Sequence, residues 1–231
     1  IRDKVKKLSN INVIESCELK DFNDEKGTVY ISCKKGIRNI DFNSKFLVGC
    51  DGARSSIRKK LNIKLDDFGY NQEWLVCDAH LTKNIHLKNE LVQVCNPKRP
   101  STFLHGRRGH LRFEFKVMPN DDLDNLRSDE SVWNLLSPWI DKSNARLERA
   151  AIYNFHACIA KVWRMNNVLI AGDSAHQMPP FMGAGMGTGI RDVANLAWKI
   201  NLILEKKAKK NILDTYQKER YSHAKWSIAQ S

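Results

Sequence analysis

The sequence has no paired cysteine motif, although it holds six cysteines among its 231 residues. No two of them have the C-x-x-C spacing that is typical of zinc sites and redox-active pairs, so we predict neither kind of site and no bound metal. Isolated cysteines inside apolar runs indicate buried thiols in a reducing compartment, and we expect a cytoplasmic protein. The six are Cys17, Cys33, Cys50, Cys77, Cys95 and Cys158.

Long hydrophobic runs are absent as well. A helix needs about 20 consecutive apolar residues to span a membrane, and no such run occurs, so we expect no membrane partner. The opening residues, IRDKVKKLSN, do not have the pattern of a signal peptide. The chain begins at Ile1 without a methionine, which indicates a fragment or a processed product.

Acidic residues are fewer than basic ones, and the formal net charge is +12. The lysines are spread along the whole chain without a basic arm or an aromatic RNA-binding motif, so we expect no specific nucleic-acid partner. The simple explanation of the positive charge is a solvated, lysine-rich surface. A functional explanation is that the charge steers anionic ligands towards the protein. We keep a homodimer as one candidate for the oligomeric state.

Two apolar runs anchor the predicted fold. KFLVGC (45–50) and VLIAGD (168–173) are continuous, as expected for strands that are covered on both faces. Other strand-like runs fill residues 11–50 and 73–118. Turns between strands are predicted at 21–27 (DFNDEKG), around Gly36 and at 106–109 (GRRG).

Four segments of the chain have apolar residues at the spacing that is typical of helices. SSIRKKL predicts a short helix after Asp51–Gly52, and a second helix is predicted around residues 132–139. A long helix is expected from about Gly187 to Leu204, and another from about Ile212. The long helix has an apolar stripe of Ile190, Val193, Ala194, Ala197 and Ile200.

The order of these elements predicts an α/β fold with a strand-rich α+β insertion. We assign residues 1–71 and 151–231 to one domain that is discontinuous in sequence, and residues 72–150 to the strand-rich domain. The chain has no internal repeat and no low-complexity segment.

The stretch GDSAHQMPPFMGAGMGTGI (172–190) places five glycines within eighteen residues, directly before the long helix. Bare backbone N–H groups at the positive end of a helix dipole form a site for negative charge. A mobile glycine-rich connection to a core helix is the alternative. The stretch is no P-loop, and Thr188 stands where the third glycine of G-x-G-x-x-G would be.

Two motifs resemble those of flavin-dependent aromatic hydroxylases of the para-hydroxybenzoate hydroxylase type. G-D-x-A-H, P-P, G-x-G-M and R-D-x-x-N-L-A-W-K, within residues 172–199, resemble the second flavin-binding motif of that family. VGCDGARSSIR (48–58) resembles its D-G-x-x-S-x-x-R element. QVCNPKRPSTFLHGRRGHLRFEF (93–115) is similar to the substrate domain of the 3-(3-hydroxyphenyl)propionate hydroxylase subgroup. The resemblance implies an FAD/NAD(P)-binding, Rossmann-like fold.

The resemblance implies FAD and NAD(P)H as cofactors and assigns residues to them. Asp173 would bind the ribityl chain, the backbone of 183–187 would lie against the flavin ring, and Pro180 would lie beside its reactive edge. Asp51 and Arg58 would approach the pyrophosphate and NAD(P)H. The cofactor-binding residues implied in this way are Asp51, Gly52, Arg58, Gly172, Asp173, Pro180, Gly183, Ala184, Gly185, Met186 and Gly187.

The implied activity is hydroxylation of a phenolic aromatic acid such as 3-(3-hydroxyphenyl)propionate by O₂, through a flavin C4a-hydroperoxide. No side chain is predicted to be catalytic, because the cofactor carries the chemistry in such enzymes. Arg112 is either a partner of a substrate carboxylate or a surface arginine. His176 is expected to hold the loop rather than to act as a base. Three other histidines are also interpreted as structural rather than catalytic: His105, His110 and His156.

The sequence departs from the family pattern at three points. It has no G-x-G-x-x-G, no thioredoxin-like extension follows, and Ala184 replaces a usually polar residue. We therefore expect a fold that is incomplete at both ends and weak FAD retention by this chain alone. Alternatives are a monooxygenase of the same fold that acts on an antibiotic, polyketide or quinone precursor, a non-catalytic remnant, and a non-specific polyanion-binding protein.

Overall fold

The computed structural model describes residues 2–87 and 91–231. Contacts divide the chain into two compact units. The first unit comprises Ile1–Leu65, Ala160–His176 and Thr188–His223, and the second comprises Asp66–Ile159, Gln177–Gly187 and Ala224–Ser231. These units are defined by contacts alone, so the functional division into residues 1–71 with 151–231 and residues 72–150 stays a prediction.

Helices and strands alternate along the chain. The helices are α1 (Arg2–Val5), α2 (Ser56–Lys60), α3 (Leu123–Leu126), α4 (Asp129–Leu136), α5 (Ala184–Leu204) and α6 (Asp214–Gln230). The strands are β1 (Glu18–Glu25), β2 (Thr28–Lys35), β3 (Arg38–Ser44), β4 (Leu47–Gly49), β5 (Leu65–Leu81), β6 (Leu91–Val94), β7 (Ser101–His105), β8 (His110–Lys116), β9 (Ala145–Ala160), β10 (Arg164–Met165), β11 (Val168–Ile170) and β12 (His176–Gln177). Short 3₁₀ turns occupy Arg107–Gly109, Gly172–Ser174, Pro180–Met182 and Lys210–Leu213.

Strands β1, β2 and β3 form an antiparallel sheet in the first unit. The predicted turn at 21–27 is wrong for most of its length, because β1 stays paired with β2 as far as Glu25, opposite Thr28. Only Lys26 and Gly27 turn, with φ values of 48° and 87°, and two positive φ values are what a type I′ hairpin needs. Polar residues on an exposed strand resemble a turn in sequence, which explains the error. The turn predicted around Gly36 is confirmed by the pairing of the flanking strands.

The two apolar runs that anchor the predicted fold form a parallel pair in the first unit. Strands β4 and β11 pair with Leu47 opposite Val168 and Gly49 opposite Ile170. Residues 168–170 of β11 are fully buried, as the continuous apolar run predicts. Parallel pairing brings the two sequence motifs that follow these strands to the same edge of the sheet.

The second unit is built on a sheet in which β9, β5, β8, β7 and β6 are consecutive neighbours, and β5, β8, β7 and β6 pair antiparallel. The predicted GRRG turn is confirmed as the 3₁₀ turn between β7 and β8. One face of the sheet packs against α4, whose Val132 and Leu136 are fully buried, so the helix predicted around residues 132–139 is also confirmed. The sheet residues of this core are Leu75, Cys77, Ala79, Phe103, Leu111, Phe113, Phe115 and Ala145.

Helix α5 buries a different face from the one that its apolar stripe suggests. Ile190 is 53% exposed and Val193 is 40% exposed. The buried residues of α5 are Thr188, Asp192, Leu196 and Lys199. Two of these are charged, and a charged group remains buried only when it is paired. Among the described residues, no helix combines the length and apolar character that a membrane span requires.

Buried Lys199 is compensated by two partners in the first unit. Its ammonium group donates to Asn195 Oδ1 at 2.8 Å and to Glu219 Oε2 at 2.8 Å. Hydrogen bonds from Asn195 and Lys199 lower the pKa of Glu219 to about 2. The partner of the buried cation is therefore ionised over nearly the whole accessible pH range.

Substituting Glu219→Gln tests this pairing through the pH dependence of unfolding. Because the pKa of Glu219 is lower in the folded state, its contribution to stability is complete above the unfolded pKa and is lost as the pH falls towards about 2. The variant is expected to be less stable than wild type at pH 7, and the two should converge as the pH approaches 2. Urea titrations from pH 7 to 2 measure the gap. In a Lys199→Met background the same substitution should have a much smaller effect, and an equal effect in both backgrounds would disprove the pairing.

The expectation of buried thiols is only partly correct. All six cysteines are free, and Cys77 and Cys158 are buried. Cys50 and Cys95 are exposed, which corrects the expectation for these two. Each of them directly follows a short strand, β4 or β6, where the chain leaves the sheet.

Candidate functional site

The two family-like motifs contact each other in the first unit. Asp51 and Gly52 follow β4, and Ser174 follows β11. The Ser174 hydroxyl donates to Asp51 Oδ1 at 3.0 Å and accepts from the Gly52 N–H at 3.0 Å. A single serine thus joins the turns at the ends of the two parallel strands.

Asp51 and Arg58 are held by hydrogen bonds within the protein. Asp51 accepts from the backbone N–H groups of Ser56 and Ile57, at 2.8 and 3.2 Å, at the start of α2. Burial raises the pKa of Asp51, but its hydrogen bonds more than offset this, so the pKa lies below its usual value. The Arg58 guanidinium, 5% exposed, donates to the carbonyl of Ser174 at 2.8 Å. Both side chains shape the strand ends, and their contact with FAD or NAD(P)H stays a prediction.

A buried ionic network lies beneath the Gly172–Asp173 turn. Asp192 is fully buried; its Oδ2 lies 2.5 Å from His176 Nε2, and its Oδ1 accepts from Arg220 Nε at 2.9 Å. The backbone N–H of Gly172 donates to the same carboxylate at 3.1 Å. His176 is therefore placed as a support of this turn, as expected for a structural histidine.

The network holds a turn whose backbone conformation favours glycine. Gly172 has a φ of +61°, and a Cβ on Gly189 would lie 3.2 Å from its Cα. The neighbouring Asp173 is exposed, and its carboxylate has no hydrogen bond or ion pair among the residues that the structure describes. An exposed, unpaired carboxylate on a tightly fixed turn suits the hydroxyl groups of a ribityl chain.

The glycine-rich loop belongs to the second unit. Gly183 has a φ of +60°, and apart from its neighbours in sequence no described residue has an atom within 4 Å of the position that its Cβ would take. A Cβ on Gly185 would be in ordinary contact with Met178 Cγ, at 3.9 Å. Helix α5 begins at Ala184, so the N–H groups of its first turn follow this open space directly. Bare backbone at a helix N-terminus fits a flat ring that becomes anionic on reduction.

The second unit also carries a polar group on the sheet face opposite its core. Asp78 of β5 is 4% exposed and accepts from Arg112 Nε at 2.8 Å and from Arg112 Nη2 at 3.1 Å. Arg149 of β9 donates to its second oxygen at 2.5 Å. Burial raises the pKa of Asp78, but hydrogen bonds from the two arginines more than offset this and lower it. Two guanidinium groups therefore share one buried carboxylate.

Aromatic side chains of the second unit cluster around Trp74. The ring of Phe181, in the glycine-rich loop, lies 4.8 Å from it, and Phe155 of β9 lies 6.3 Å from it. Gln93 donates to the carbonyl of Phe181 at 3.0 Å. Burial raises the pKa of Tyr70, whose ring lies 6.3 Å from Phe181. These rings form an apolar wall.

Sequence reasoning missed Asp192, Asp78 and Arg149. Asp192 had a visible signal, because it is a charged residue inside an apolar helix and directly follows Arg191 in a quoted motif. The partners of Asp78 are 34 and 71 residues away in sequence. No local pattern marks pairs at such separations, so Arg112 was identified without its carboxylate.

A family model described as "FAD binding domain" matches residues 3–231. A probable NADH-specific resorcinol 4-hydroxylase of Rhodococcus jostii (strain RHA1) is 38% identical over 184 residues, which is 79% of this chain and 34% of the relative. A 3-(3-hydroxy-phenyl)propionate/3-hydroxycinnamic acid hydroxylase of Escherichia coli (strain K12) is 36% identical over 228 residues, 97% of this chain and 40% of the relative. The chain thus spans about two fifths of the length of these relatives, or less.

Solved structures of hydroxylases share the fold. Aklavinone-11 hydroxylase, in a ternary complex with FAD and aklavinone, superposes with a TM-score of 0.84 at 23% identity, covering 92% of this chain and 42% of that one. A p-nitrophenol 4-monooxygenase of Pseudomonas putida DLL-E4 superposes with a TM-score of 0.82 at 19% identity, covering 93% and 55%. The fold expected from the two motifs is therefore confirmed. Since the family model matches nearly the whole chain, this protein belongs to the FAD binding domain family.

Proposed function

We propose that this protein takes part in the FAD- and NAD(P)H-dependent hydroxylation of a phenolic aromatic acid. In the overall reaction one oxygen atom of O₂ enters the ring, the other leaves as water, and NAD(P)H supplies the two electrons. The observation that carries the substrate proposal is the sheet of the second unit. Arg112 of β8 and Arg149 of β9 both bind Asp78 of β5, and β5 and β9 also carry Trp74 and Phe155 of the aromatic wall. Its relative from Escherichia coli is named for aromatic acids.

The geometry within each unit supports the proposed cofactor sites. Asp173 would accept hydrogen bonds from ribityl hydroxyls, and the N–H groups of 183–187 would stabilise negative charge on the ring. Bound FAD would supply the redox chemistry, passing electrons from NAD(P)H to O₂. The residues that we propose for FAD are Asp51, Gly52, Arg58, Gly172, Asp173, Pro180, Gly183, Ala184, Gly185, Met186 and Gly187.

The side chains of the second unit would position the substrate. An arginine has five N–H donors, and Arg112 uses two of its donor nitrogens, Nε and Nη2, on Asp78, so donors remain for a substrate carboxylate. The aromatic wall would pack against the ring and exclude water, which strengthens these polar contacts.

A diphenol without a carboxylate is the second candidate substrate. The relative from Rhodococcus jostii, at 38% identity, is named for resorcinol. With such a substrate the two arginines would serve only to hold Asp78. Oxidation of NADH and NADPH in the presence of each compound, with analysis of the hydroxylated product, distinguishes the candidates. Absence of phenol-stimulated NAD(P)H oxidation in the flavin-loaded protein would reject both.

Replacing Asp173 by asparagine tests the FAD site directly. Hydrogen bonds to a charged group are worth about 1.5–3 kcal/mol, so FAD affinity should fall about 10- to 100-fold. Because Asp173 is exposed, the melting temperature should stay the same. Flavin fluorescence titrations measure the change, with Asp3→Asn on exposed α1 as the control. Equal FAD affinity in the two variants would remove Asp173 from the site.

A further inference from the structure

A histidine pair crosses the sheet of the second unit. His80 of β5 and His110 of β8 are direct partners in the antiparallel register. Their ring centroids are 5.2 Å apart, with planes inclined at 68°. Side chains of directly opposed residues lie on the same face of a sheet, so both imidazoles are available to one ligand.

Glu148 completes the group from the other side of β5. It belongs to β9, so that β9, β5 and β8 contribute one residue each. Its Oε2 lies 2.8 Å from His80 Nε2. One ligand atom of each of the three residues lies within 4.8 Å of the others.

We propose that His80, His110 and Glu148 bind a divalent transition-metal ion of the zinc class. Zinc bonds of about 2.0–2.2 Å in a tetrahedral site place ligand atoms about 3.3 Å apart. The distance of 2.8 Å between His80 Nε2 and Glu148 Oε2 has to increase slightly, and the longer distances between ligand atoms, up to 4.8 Å, have to decrease. Rotation of the partly exposed side chains allows both changes. Two imidazoles select zinc, nickel or copper over magnesium and calcium.

The site is accessible from solvent and leaves a fourth position open. The side chains of His80 and His110 are 36% and 35% exposed, and that of Glu148 is 52% exposed. On binding, the ion would replace the direct contact between His80 and Glu148. Water would take the fourth position, as in sites with three protein ligands.

The surrounding charges do not oppose a cation. Arg112 and Arg149 lie on β8 and β9, the strands that also carry His110 and Glu148, but both guanidinium groups are already bound to Asp78. Asp78 Oδ1 also lies 3.6 Å from His110 Nε2, and Glu114 interacts electrostatically with Arg112 and Asp78. The carboxylates of Asp78 and Glu148 balance the charges of the two guanidinium groups.

This site is absent from the sequence-based predictions, which included no metal. Its three ligands come from strands separated by long intervals, and no short spacing such as H-x-x-x-H marks them. It depends neither on FAD nor on the proposed hydroxylation, and it can be tested in flavin-free protein.

Titration of the chelator-treated chain with Zn²⁺ tests the proposal, with Co²⁺ as a spectroscopic probe. We expect one equivalent of Zn²⁺ by calorimetry and a higher melting temperature in its presence. Each of the variants His80→Gln, His110→Gln and Glu148→Gln should weaken binding at least about tenfold. His156→Gln is the matched control, because His156 lies on β9 with Glu148 but is not one of the three ligands. This variant should bind Zn²⁺ as wild type does.

Three results would overturn the site. These are the absence of Zn²⁺ binding, a wild-type affinity in Glu148→Gln or His80→Gln, and a cobalt–thiolate absorption band that assigns the metal to cysteine. Metal-free melting curves of the variants show whether each is folded. Because all three ligands are partly exposed, we expect those curves to match wild type.

Discussion

Replacing Asp192 by alanine is expected to lower the free energy of unfolding by about 3–5 kcal/mol, because removing one partner of a buried ion pair leaves the other charge uncompensated. Asp192 is fully buried and is bound by His176, Arg220 and the N–H of Gly172. The alanine variant would leave the Arg220 guanidinium, itself 8% exposed, without its carboxylate. Urea unfolding followed by circular dichroism at pH 7 measures the loss.

The same variant should lose FAD affinity as well as stability. Asp192 fixes Gly172, and Gly172 directly precedes the proposed ribityl ligand Asp173, so a loosened turn would present that carboxylate in several orientations. Asp214→Asn is the control, because it breaks an ion pair with Arg164 in which the Asp214 side chain is 60% exposed. Such a pair is worth less than about 1 kcal/mol. If Asp192→Ala were no less stable than this control, the network would not support the turn.

The fold could be predicted where an element depends on residues that are close together in sequence. The hairpin turns near Gly36 and at GRRG, and the two strands that form from continuous apolar runs, were predicted because glycine and apolar continuity act over a few residues. The parallel pairing of these two strands was not predicted. Strands β5 and β9 are longer than their apolar segments suggest. Their exposed ends carry polar residues, and the pairing of neighbouring strands, which the sequence does not display, extends them.

Helix α5 shows where periodicity fails. Its apolar stripe, including Ile190 and Val193, is exposed, whereas Asp192 and Lys199 are buried. Hydrophobic periodicity assumes that charged residues face water. That assumption fails when a residue of another helix neutralises the charge. Here Arg220 of α6 pairs with Asp192, and Glu219 of α6 pairs with Lys199.

The candidate site shows the same limit. The motif resemblance indicated the glycine-rich loop and Asp173 as cofactor-binding residues, because these residues lie close together in sequence, and this assignment stays a proposal. It also assigned Asp51 and Arg58 to the cofactor, which stays a proposal too; in the structure both side chains form hydrogen bonds within the protein. Contacts that join distant strands, such as Asp78 with Arg149, emerge only from the folded sheet.

Replacing Arg112 by methionine is expected to raise KM for 3-(3-hydroxyphenyl)propionate about 10- to 100-fold, since a charge-assisted hydrogen bond contributes about 1.5–3 kcal/mol. Methionine keeps much of the packing of the arginine stem, and Asp78 retains Arg149 as its partner, so the fold should persist. Resorcinol has no carboxylate, and its KM should change less than about twofold. Steady-state NAD(P)H oxidation by the flavin-loaded protein measures both constants.

The variant Arg112→Lys tests whether the positive charge or the planar guanidinium group of Arg112 binds the substrate carboxylate. Lysine retains the positive charge but lacks the planar fork that binds Asp78 through two nitrogen atoms. A substrate carboxylate held mainly by charge would bind the lysine variant almost as well as wild type, whereas one held by the fork would bind it as weakly as the methionine variant. If Arg112→Met raised KM equally for both substrates, Arg112 would act only by holding Asp78 and shaping the sheet face. A carboxylate-specific loss would instead place the acid group of the substrate at Arg112, because folding and flavin binding are common to both reactions.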